Sequence, residues 1–222
     1  MDSVSVAARL HEVVRRVDEA ARRSGRDRDD VKIVAIGKGR PPAVLEEAVA
    51  AGHRVFGENR GQELASKAGR LPSNLEWHFV GPLQTNKVRV VRPLVSLLHS
   101  FDRDRLVKPW LRGEDRPPPT LLQVNIGQEP QKSGVDPRLV VETFERWESA
   151  GVPLTGVMAI PPMGAIPEDS RPYFVRMREI RDELSARLER PMALSMGMTD
   201  DFEVAIEEGS TIVRIGRAIF GV

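Results

Sequence analysis

The stretch Val34-Ala35-Ile36-Gly37-Lys38-Gly39-Arg40 joins a short apolar run to a lysine that stands between two glycines. Pro41-Pro42 follow, and proline at this place is typical of the start of a helix. A lysine at the mouth of a buried strand is costly to desolvate, but partial desolvation makes an amine nucleophilic towards carbonyls. The stretch therefore predicts a strand, a loop and a helix, with Lys38 able to form a Schiff base. The alternative is a strand-end lysine whose ammonium reaches solvent.

Strand–helix units of this kind recur along the chain. Alternating units with short connections indicate a parallel sheet, and eight of them in this length indicate a closed (β/α)₈ TIM barrel, forming one domain over 1–222. A doubly wound open sheet is the alternative, but no G-x-G-x-x-G follows the first strand. The predicted strands are 32–36, 54–56, 77–80, 96–99, 120–126, 154–159, 192–195 and 211–215. The predicted helices are 4–21 with Ser3 as its cap, 42–51, 61–68, 86–92, 103–111, 137–150, 170–188 and 200–208.

The composition excludes several classes of protein. Of the 222 residues 41% are hydrophobic, and 33 basic against 32 acidic residues leave a net charge of +1, which gives no field that favours nucleic acid or an anionic membrane. The absence of cysteine excludes disulfides and thiolate metal sites, and no histidines have the spacing of a metal site. No apolar run approaches the ~18 residues of a membrane span, and 1–19 lacks the apolar stretch of a signal peptide. We therefore expect a cytoplasmic protein.

The carboxyl ends of the strands are where a barrel of this kind carries its active site. After the seventh strand, Ser195 and Thr199 offer hydroxyls around Gly197, and the next helix begins directly afterwards. Gly216 and Arg217 follow the eighth strand and would close the same site. Because these barrels often bind phosphate between their last two loops, the residues predict an anion site. The alternative is an ordinary strand-to-helix turn with a cap.

Arg214 and His78 are polar residues inside predicted strands. Arg214 lies between Val213 and Ile215, so it faces the opposite way from both, towards the barrel axis. A buried guanidinium needs a partner, which is either a pyridine ring nitrogen or a carboxylate such as Glu58. His78 is either a hydrogen-bonded core residue or part of the site. A Schiff-base lysine, an anion site and an inward arginine together favour pyridoxal 5′-phosphate, which needs a partner for its aldehyde, its phosphate and its ring nitrogen.

Five motifs resemble those of a known family. They are FGEN at 56–59, WHFVGPLQTNK at 77–87, MAIPP at 158–162, SMGMTDDF at 195–202 and VRIGRAIFG at 213–221. Together they are specific, and the resemblance to the pyridoxal phosphate homeostasis protein (YggS/PROSC) family covers almost the whole chain. It implies a barrel similar to the N-terminal domain of alanine racemase. It also implies a protein that carries and buffers the cofactor, with no established catalytic reaction.

The resemblance further implies which residues hold the cofactor. Pyridoxal 5′-phosphate is expected to form a covalent aldimine with Lys38, with Asn59 beside the ring and Arg214 at the ring nitrogen. Apo-enzymes that need the cofactor are the expected partners. Apart from the resemblance, the small aromatic content of 5% and the missing second domain favour a monomer. The other residues expected to bind the cofactor, around its phosphate or within the same motifs, are His78, Met158, Ser195, Met198, Thr199, Gly216 and Arg217.

The chain also departs from the family pattern, and alternatives remain open. Gly37 and Gly39 replace hydroxyl residues beside the lysine, Arg60 replaces a tyrosine, and Arg217 stands where threonine is common. A racemase-like enzyme is the alternative function, but racemisation needs an acid/base on each face of the substrate carbanion. The lysine could serve one face, whereas the one tyrosine, Tyr173, lies far from any predicted strand end and no second domain follows the eighth strand. A barrel that binds no cofactor is a third hypothesis.

Overall fold

The strands of the protein close into a barrel. In the computed structural model, which describes residues 4–221, eight parallel strands are hydrogen-bonded in chain order, and the first also pairs with the eighth. The predicted (β/α)₈ TIM barrel is therefore confirmed. The strands are β1 Lys32–Ile36, β2 Val55–Glu58, β3 Glu76–Phe79, β4 Leu97–Phe101, β5 Thr120–Val124, β6 Leu154–Ala159, β7 Ala193–Ser195 and β8 Ile212–Ile215.

Helices precede, connect and follow the strands. They are α1 Val6–Arg23, α2 Pro42–Ala50, α3 Gly61–Ala68, α4 Val88–Val91, α5 Val107–Leu111, α6 Val140–Ser149, α7 Arg171–Arg187, α8 Phe202–Glu207 and α9 Arg217–Phe220. The continuous helices predicted over 86–92 and 103–111 are broken into shorter segments in the structure. The first becomes two 3₁₀ turns on either side of α4, the second of which contains Pro93 with its missing amide N–H, and the other becomes a 3₁₀ turn followed by α5. Within residues 4–221, no helix combines the length and the apolar character that crossing a membrane requires.

Helix α1 closes the side of the barrel where the last strand meets the first. It begins after Ser5, whose Oγ accepts a hydrogen bond from the amide of Ala8 at 3.2 Å. The predicted cap, Ser3, lies outside the described residues. The buried stripe of the helix includes Leu10 and Val17, and it packs against α2, α8 and α9. Elements from both ends of the chain therefore share one core.

The core has an outer layer and an inner layer. Phe56 and Phe174 belong to the outer layer, between the strands and the helices. Val34 and Ile212 belong to a smaller apolar cluster inside the barrel. Because side chains alternate along a strand, Arg214, two residues after Ile212, also faces inwards. The inner layer is therefore partly polar.

Candidate functional site

A cavity opens at the carboxyl ends of the strands. Its volume is about 430 Å³, and the segments that line it follow or end β1, β2, β3, β6, β7 and β8. It brings together seven of the ten residues that the sequence assigned to the site. The cavity is lined by Ile36, Lys38, Asn59, Val80, Gly81, Pro82, Ile160, Met198, Thr199, Asp200, Arg214, Gly216 and Arg217.

Lys38 lies on a tight turn directly after β1. The amide of Arg40 donates to the carbonyl of Gly37 at 3.0 Å, and Gly39 has a φ of 71°, in the left-handed region that favours glycine. The Lys38 side chain is exposed at the rim of the cavity, so protein atoms alone do not desolvate it as the sequence suggested. The turn presents a primary amine to the cavity.

A buried cluster of charges lies behind this turn. We call Glu58, Glu63 and Lys67 the Lys67 cluster. The Nζ of Lys67 donates to Glu58 Oε1 at 2.5 Å, to the carbonyl of Gly37 at 2.8 Å and to Glu63 Oε2 at 3.3 Å. Glu63 Oε2 also accepts from the amide of Gly39 at 2.9 Å. The cluster therefore holds both glycines that flank the exposed lysine.

Glu58 binds Lys67 through one carboxylate oxygen, whereas the other, Oε2, is buried and has no hydrogen-bond partner among the described residues. Burial raises the pKa of its carboxyl above the usual range, and the ammonium of Lys67 opposes that rise. A Cβ at Gly37 would lie 3.0 Å from Glu58 Oε1, so a larger residue there would crowd the carboxylate. Glu58 is thus the partner of Lys67 and not of Arg214, and the carboxylate alternative for Arg214 was wrong.

Arg214 forms part of the floor of the cavity. It is only 4% exposed, its Nη1 donates to Ser195 Oγ at 2.6 Å, and its Nη2 donates to the carbonyl of Ala159 at 3.0 Å. No carboxylate within residues 4–221 forms an ion pair with it. Burial lowers the pKa of Arg214 to about 10, against the opposing charge of Asp201, so the guanidinium stays charged at neutral pH. The floor of the cavity carries a cation whose hydrogen-bond partners are neutral.

Three predicted site residues lie beneath this floor instead of in the cavity wall. His78, Met158 and Ser195 have no exposed surface. Met158 belongs to the apolar cluster inside the barrel. The hydroxyl of Ser195 is held between Arg214 and His99, the latter at 2.9 Å from Nδ1, so in this arrangement it is not free to bind an anion. The structure does not bring these three to the cavity, and their role in binding stays a prediction.

His99 is a buried residue beneath the cavity that the sequence had not assigned to the site. Its Nε2 lies 2.9 Å from Nδ1 of His78, whose Nε2 lies 2.8 Å from Glu76 Oε1. Burial lowers the pKa of His78 below its usual value and that of His99 well below it, so both rings are neutral at pH 7. The signal was present in the sequence: His99 lies two residues after the inward-facing Leu97 in a mostly apolar strand.

The mouth of the cavity carries opposite charges. Arg217 and Asp200, both exposed, form an ion pair across it. The amide of Met198 donates to Asp201 Oδ1 at 2.7 Å, which fixes the loop after β7. A Cβ at Gly216 would meet only ordinary contacts, the nearest at 3.4 Å, so the backbone does not require glycine there. Its missing side chain instead leaves space in the cavity. The sequence had not assigned Asp200 to the site.

Comparison with curated proteins gives full-length relatives. A protein of Aquifex aeolicus is 43% identical over 224 residues, covering 98% of each chain. One of Pseudomonas aeruginosa is 40% identical over 224 residues, covering 98% of this chain and 95% of its own. One of Escherichia coli K12 is 37% identical over 233 residues, covering 97% and 96%. Each bears the name pyridoxal phosphate homeostasis protein. No protein-family model matches the chain.

Solved structures share the same barrel. A protein of unknown function from Bifidobacterium adolescentis superimposes with a TM-score of 0.90 at 32% identity, covering 97% of this chain and 94% of its own. PipY of Synechococcus elongatus, solved with PLP bound, gives a TM-score of 0.81 at 33% identity, covering 98% and 100%. A lysine/ornithine decarboxylase of Vibrio vulnificus gives 0.68 at 13% identity, covering 93% and 62%, which shows the fold alone.

Proposed function

The chain belongs to the pyridoxal phosphate homeostasis protein family, and from this premise we propose that it binds pyridoxal 5′-phosphate in the cavity and carries and buffers the cofactor. One observation carries the proposal. The amine of Lys38 and the guanidinium of Arg214, which has no ion-pair partner among residues 4–221, meet in one cavity of about 430 Å³. The cofactor needs these two groups for its aldehyde and its ring nitrogen.

The remaining lining also fits the cofactor. The Oδ1 of Asn59 is buried and, within the described residues, has no hydrogen-bond partner, so it is available to a hydroxyl group. Ile36, Val80 and Ile160 offer apolar surface to a flat ring. When bound, the cofactor supplies the aldehyde carbon, and we propose that Lys38 attaches to it covalently. Asn59 and Arg214 would orient the ring.

We place the phosphate at the mouth of the cavity. Thr199 supplies a hydroxyl, Arg217 supplies a guanidinium that can bind phosphate with two N–H groups, and Gly216 leaves room beside them. The phosphate would compete with Asp200 for Arg217. Met198 would contact the cofactor through its exposed side chain. The mouth therefore combines a proposed phosphate site with the negative charge of Asp200. Because Asp200 competes with the phosphate, this arrangement suits reversible binding.

A carrier fits this cavity better than an enzyme does. Racemisation needs a second acid/base opposite the lysine, and the other ionisable residues lining the cavity, as far as the structure describes the chain, are Asp200, Arg214 and Arg217. An arginine at the ring nitrogen would keep that nitrogen unprotonated and weaken its pull on electrons. We therefore propose a non-catalytic protein that delivers the cofactor to apo-enzymes.

We extend the proposal to the setting in which the protein works. Only five large apolar side chains are exposed among the described residues, which favours a monomer made of one cofactor-binding domain. A chain without cysteine needs no oxidising compartment, which is compatible with the cytoplasm. Size-exclusion chromatography with light scattering, with and without the cofactor, tests the monomer. A stable dimer in either state would contradict it.

Borohydride trapping tests the proposed attachment. The purified protein is incubated with pyridoxal 5′-phosphate and reduced, and the modified peptide is identified by mass spectrometry. We expect one label, on the peptide that contains Lys38, in the wild type and in Lys108→Ala, an exposed lysine outside the cavity. We expect no label at this position and weaker binding in Lys38→Ala. A wild type that takes up no cofactor would overturn the proposal.

A transfer assay separates a carrier from an enzyme. The loaded protein is mixed with an apo-enzyme that needs pyridoxal 5′-phosphate, and the activity gained is compared with that from an equal amount of free cofactor. The same loaded protein is assayed for racemisation and decarboxylation of amino acids, with the borohydride-reduced protein as its control. We expect transfer and no turnover. Turnover that is lost on reduction would favour the racemase-like alternative.

A further inference from the structure

A line of hydrogen-bonded side chains crosses the inside of the barrel. We call Glu76, His78, His99, Ser195 and Arg214 the inner chain. Its links measure 2.8 Å from Glu76 to His78, 2.9 Å from His78 to His99, 2.9 Å from His99 to Ser195 and 2.6 Å from Ser195 to Arg214. All of these lengths are those of good hydrogen bonds. The line connects the amino-terminal end of β3 to the floor of the cavity.

The two ends of the inner chain determine the direction of every bond between them. A guanidinium can only donate and an ionised carboxylate can only accept. Because Arg214 donates to Ser195, the hydroxyl of Ser195 is free to donate to Nδ1 of His99. His99 then carries its proton on Nε2 and donates to Nδ1 of His78. His78 in turn carries its proton on Nε2 and donates to Glu76.

This order aligns the dipoles of the inner chain. Each group turns its acceptor towards Arg214 and its hydrogen towards Glu76, so the dipoles favour the positive charge at one end and the negative charge at the other. Glu76 also accepts from Lys32 Nζ at 2.7 Å, which anchors the far end in a partly exposed ion pair. Both histidines must stay neutral for this pattern, and both are buried.

Resting on the proposed function, we propose that the inner chain is a positioning device, in which His99 acts through Ser195 to orient Arg214 and to stabilise its charge without a direct ion pair. An ion pair would neutralise the guanidinium and compete for its N–H groups. Aligned dipoles stabilise the cation and leave the N–H groups that face the cavity available. A neutral acceptor, such as a pyridine nitrogen, is the ligand that such a cation suits. His99 is thus a positioning residue rather than a residue that contacts the ligand.

The order of protons can be tested without any cofactor. The chain contains four histidines, so nitrogen NMR of the cofactor-free protein labelled with ¹⁵N-histidine is assignable with single variants. We expect His78 and His99 to be neutral at pH 7, each with its proton on Nε2. Exposed His11 serves as the internal reference for a ring that belongs to no such chain. A proton on Nδ1 of His99, or a charged ring, would overturn the proposal.

Substitution tests what the inner chain does to the cavity. His99→Leu removes both polar atoms, whereas His99→Gln keeps an acceptor and a donor. We expect His99→Leu to weaken cofactor binding about tenfold and to shift the absorption band of the bound cofactor, and His99→Gln to restore both to within about threefold. His53→Leu, a half-buried histidine whose bond is to the carbonyl of Val55, is the matched control and should change neither.

The outcomes separate this proposal from the proposed function. If His99→Leu unfolds more easily but its binding and absorption band match the wild type, His99 has only a structural role and the proposal fails. If His99→Leu does not fold, the proton positions in the wild type still decide. If the proton order is as expected and the wild type takes up no cofactor, the proposed function fails while the inner chain stands as a property of the barrel.

Discussion

Lys67 and Arg214 are two cations buried to the same extent in one barrel, each 4% exposed, and they are stabilised in opposite ways. Lys67 meets the carboxylates of Glu58 and Glu63. Arg214 meets a hydroxyl and a carbonyl. A buried charge that is fully paired is satisfied within the fold, whereas one whose hydrogen-bond partners are all neutral can still bind a ligand. We infer from this difference that Lys67 serves the structure, and it supports the proposal that Arg214 serves the site.

Breaking the Lys67 pair has the largest expected effect. Lys67→Met leaves the buried carboxylate of Glu58 without its cation, and removal of one partner of such a pair costs about 3–5 kcal/mol of unfolding free energy. Denaturant unfolding measures the loss. Glu58→Gln in the same background should recover part of it, because no uncompensated charge then remains. A loss no greater than that of the exposed Lys108→Met would show that Lys67 is not structural.

Removing Arg214 should cost less stability than removing Lys67 but should weaken cofactor binding. Arg214→Met eliminates the cost of a buried cation but leaves the Ala159 carbonyl without its donor, which costs about 1–3 kcal/mol, so we expect a smaller net loss of stability than for Lys67→Met. Cofactor binding, followed by absorption titration, should weaken at least about tenfold. Arg214→Lys keeps the charge without the planar fork and should be intermediate. Unchanged cofactor binding by Arg214→Met would contradict the contrast between a structural Lys67 and a ligand-binding Arg214.

The histidines beneath Arg214 predict how stability depends on pH. Burial lowers the pKa of His78 and His99 below the ordinary value of 6.5, so the unfolded chain binds more protons than the native protein once the pH falls below that value. Stability is therefore full above pH 6.5 and is lost as the pH falls below it. Unfolding curves at several pH values should show a shallower loss for His99→Gln than for the wild type. Equal slopes would mean that His99 does not titrate on unfolding.

The smallest expected effect concerns the mouth of the cavity. Asp200→Asn frees Arg217 and removes a negative charge beside the proposed phosphate site. Because exposed pairs are weak, we expect cofactor binding to tighten only about two- to fivefold, and less at high salt. Glu168→Gln, which alters another exposed arginine pair outside the cavity, is the control. Weaker binding by Asp200→Asn would mean that Asp200 helps to hold the ligand.

The sequence predicted the barrel because each strand–helix unit carries its own local signal. The same local signal also predicts where each strand ends. In a closed barrel of parallel strands, the carboxyl ends of all the strands lie at the same end of the barrel. This is why Lys38, Thr199 and Arg217 could be assigned to one site from their positions after three different strands, β1, β7 and β8. His78, Met158 and Ser195 were predicted to line the cavity and do not. A residue near the end of a strand lines the cavity only if its side chain lies above the floor that Arg214 forms, and these three lie beneath it.

Contacts between side chains on different strands could not be predicted in the same way. His99 meets His78 and Ser195 only because β3, β4 and β7 close at a particular register. Lys67 reaches Glu58 because the side chain of a helix residue extends down to the end of β2. Such contacts depend on register and packing, which the periodicity of a sequence does not contain.

Glu76 lies at the amino-terminal end of the barrel strands, the end that usually carries no active-site residues. In barrels of this kind, residues at the amino-terminal ends of the strands are generally retained for stability, and those at the opposite end for function. Here the carboxylate that accepts from Lys32 also terminates the inner chain that reaches Arg214. We therefore expect evolutionary change at Glu76 to be constrained by residues at the opposite end of the barrel. Where relatives replace it, we expect compensating replacements at positions 78 and 99, so that the two ends of the barrel evolve together.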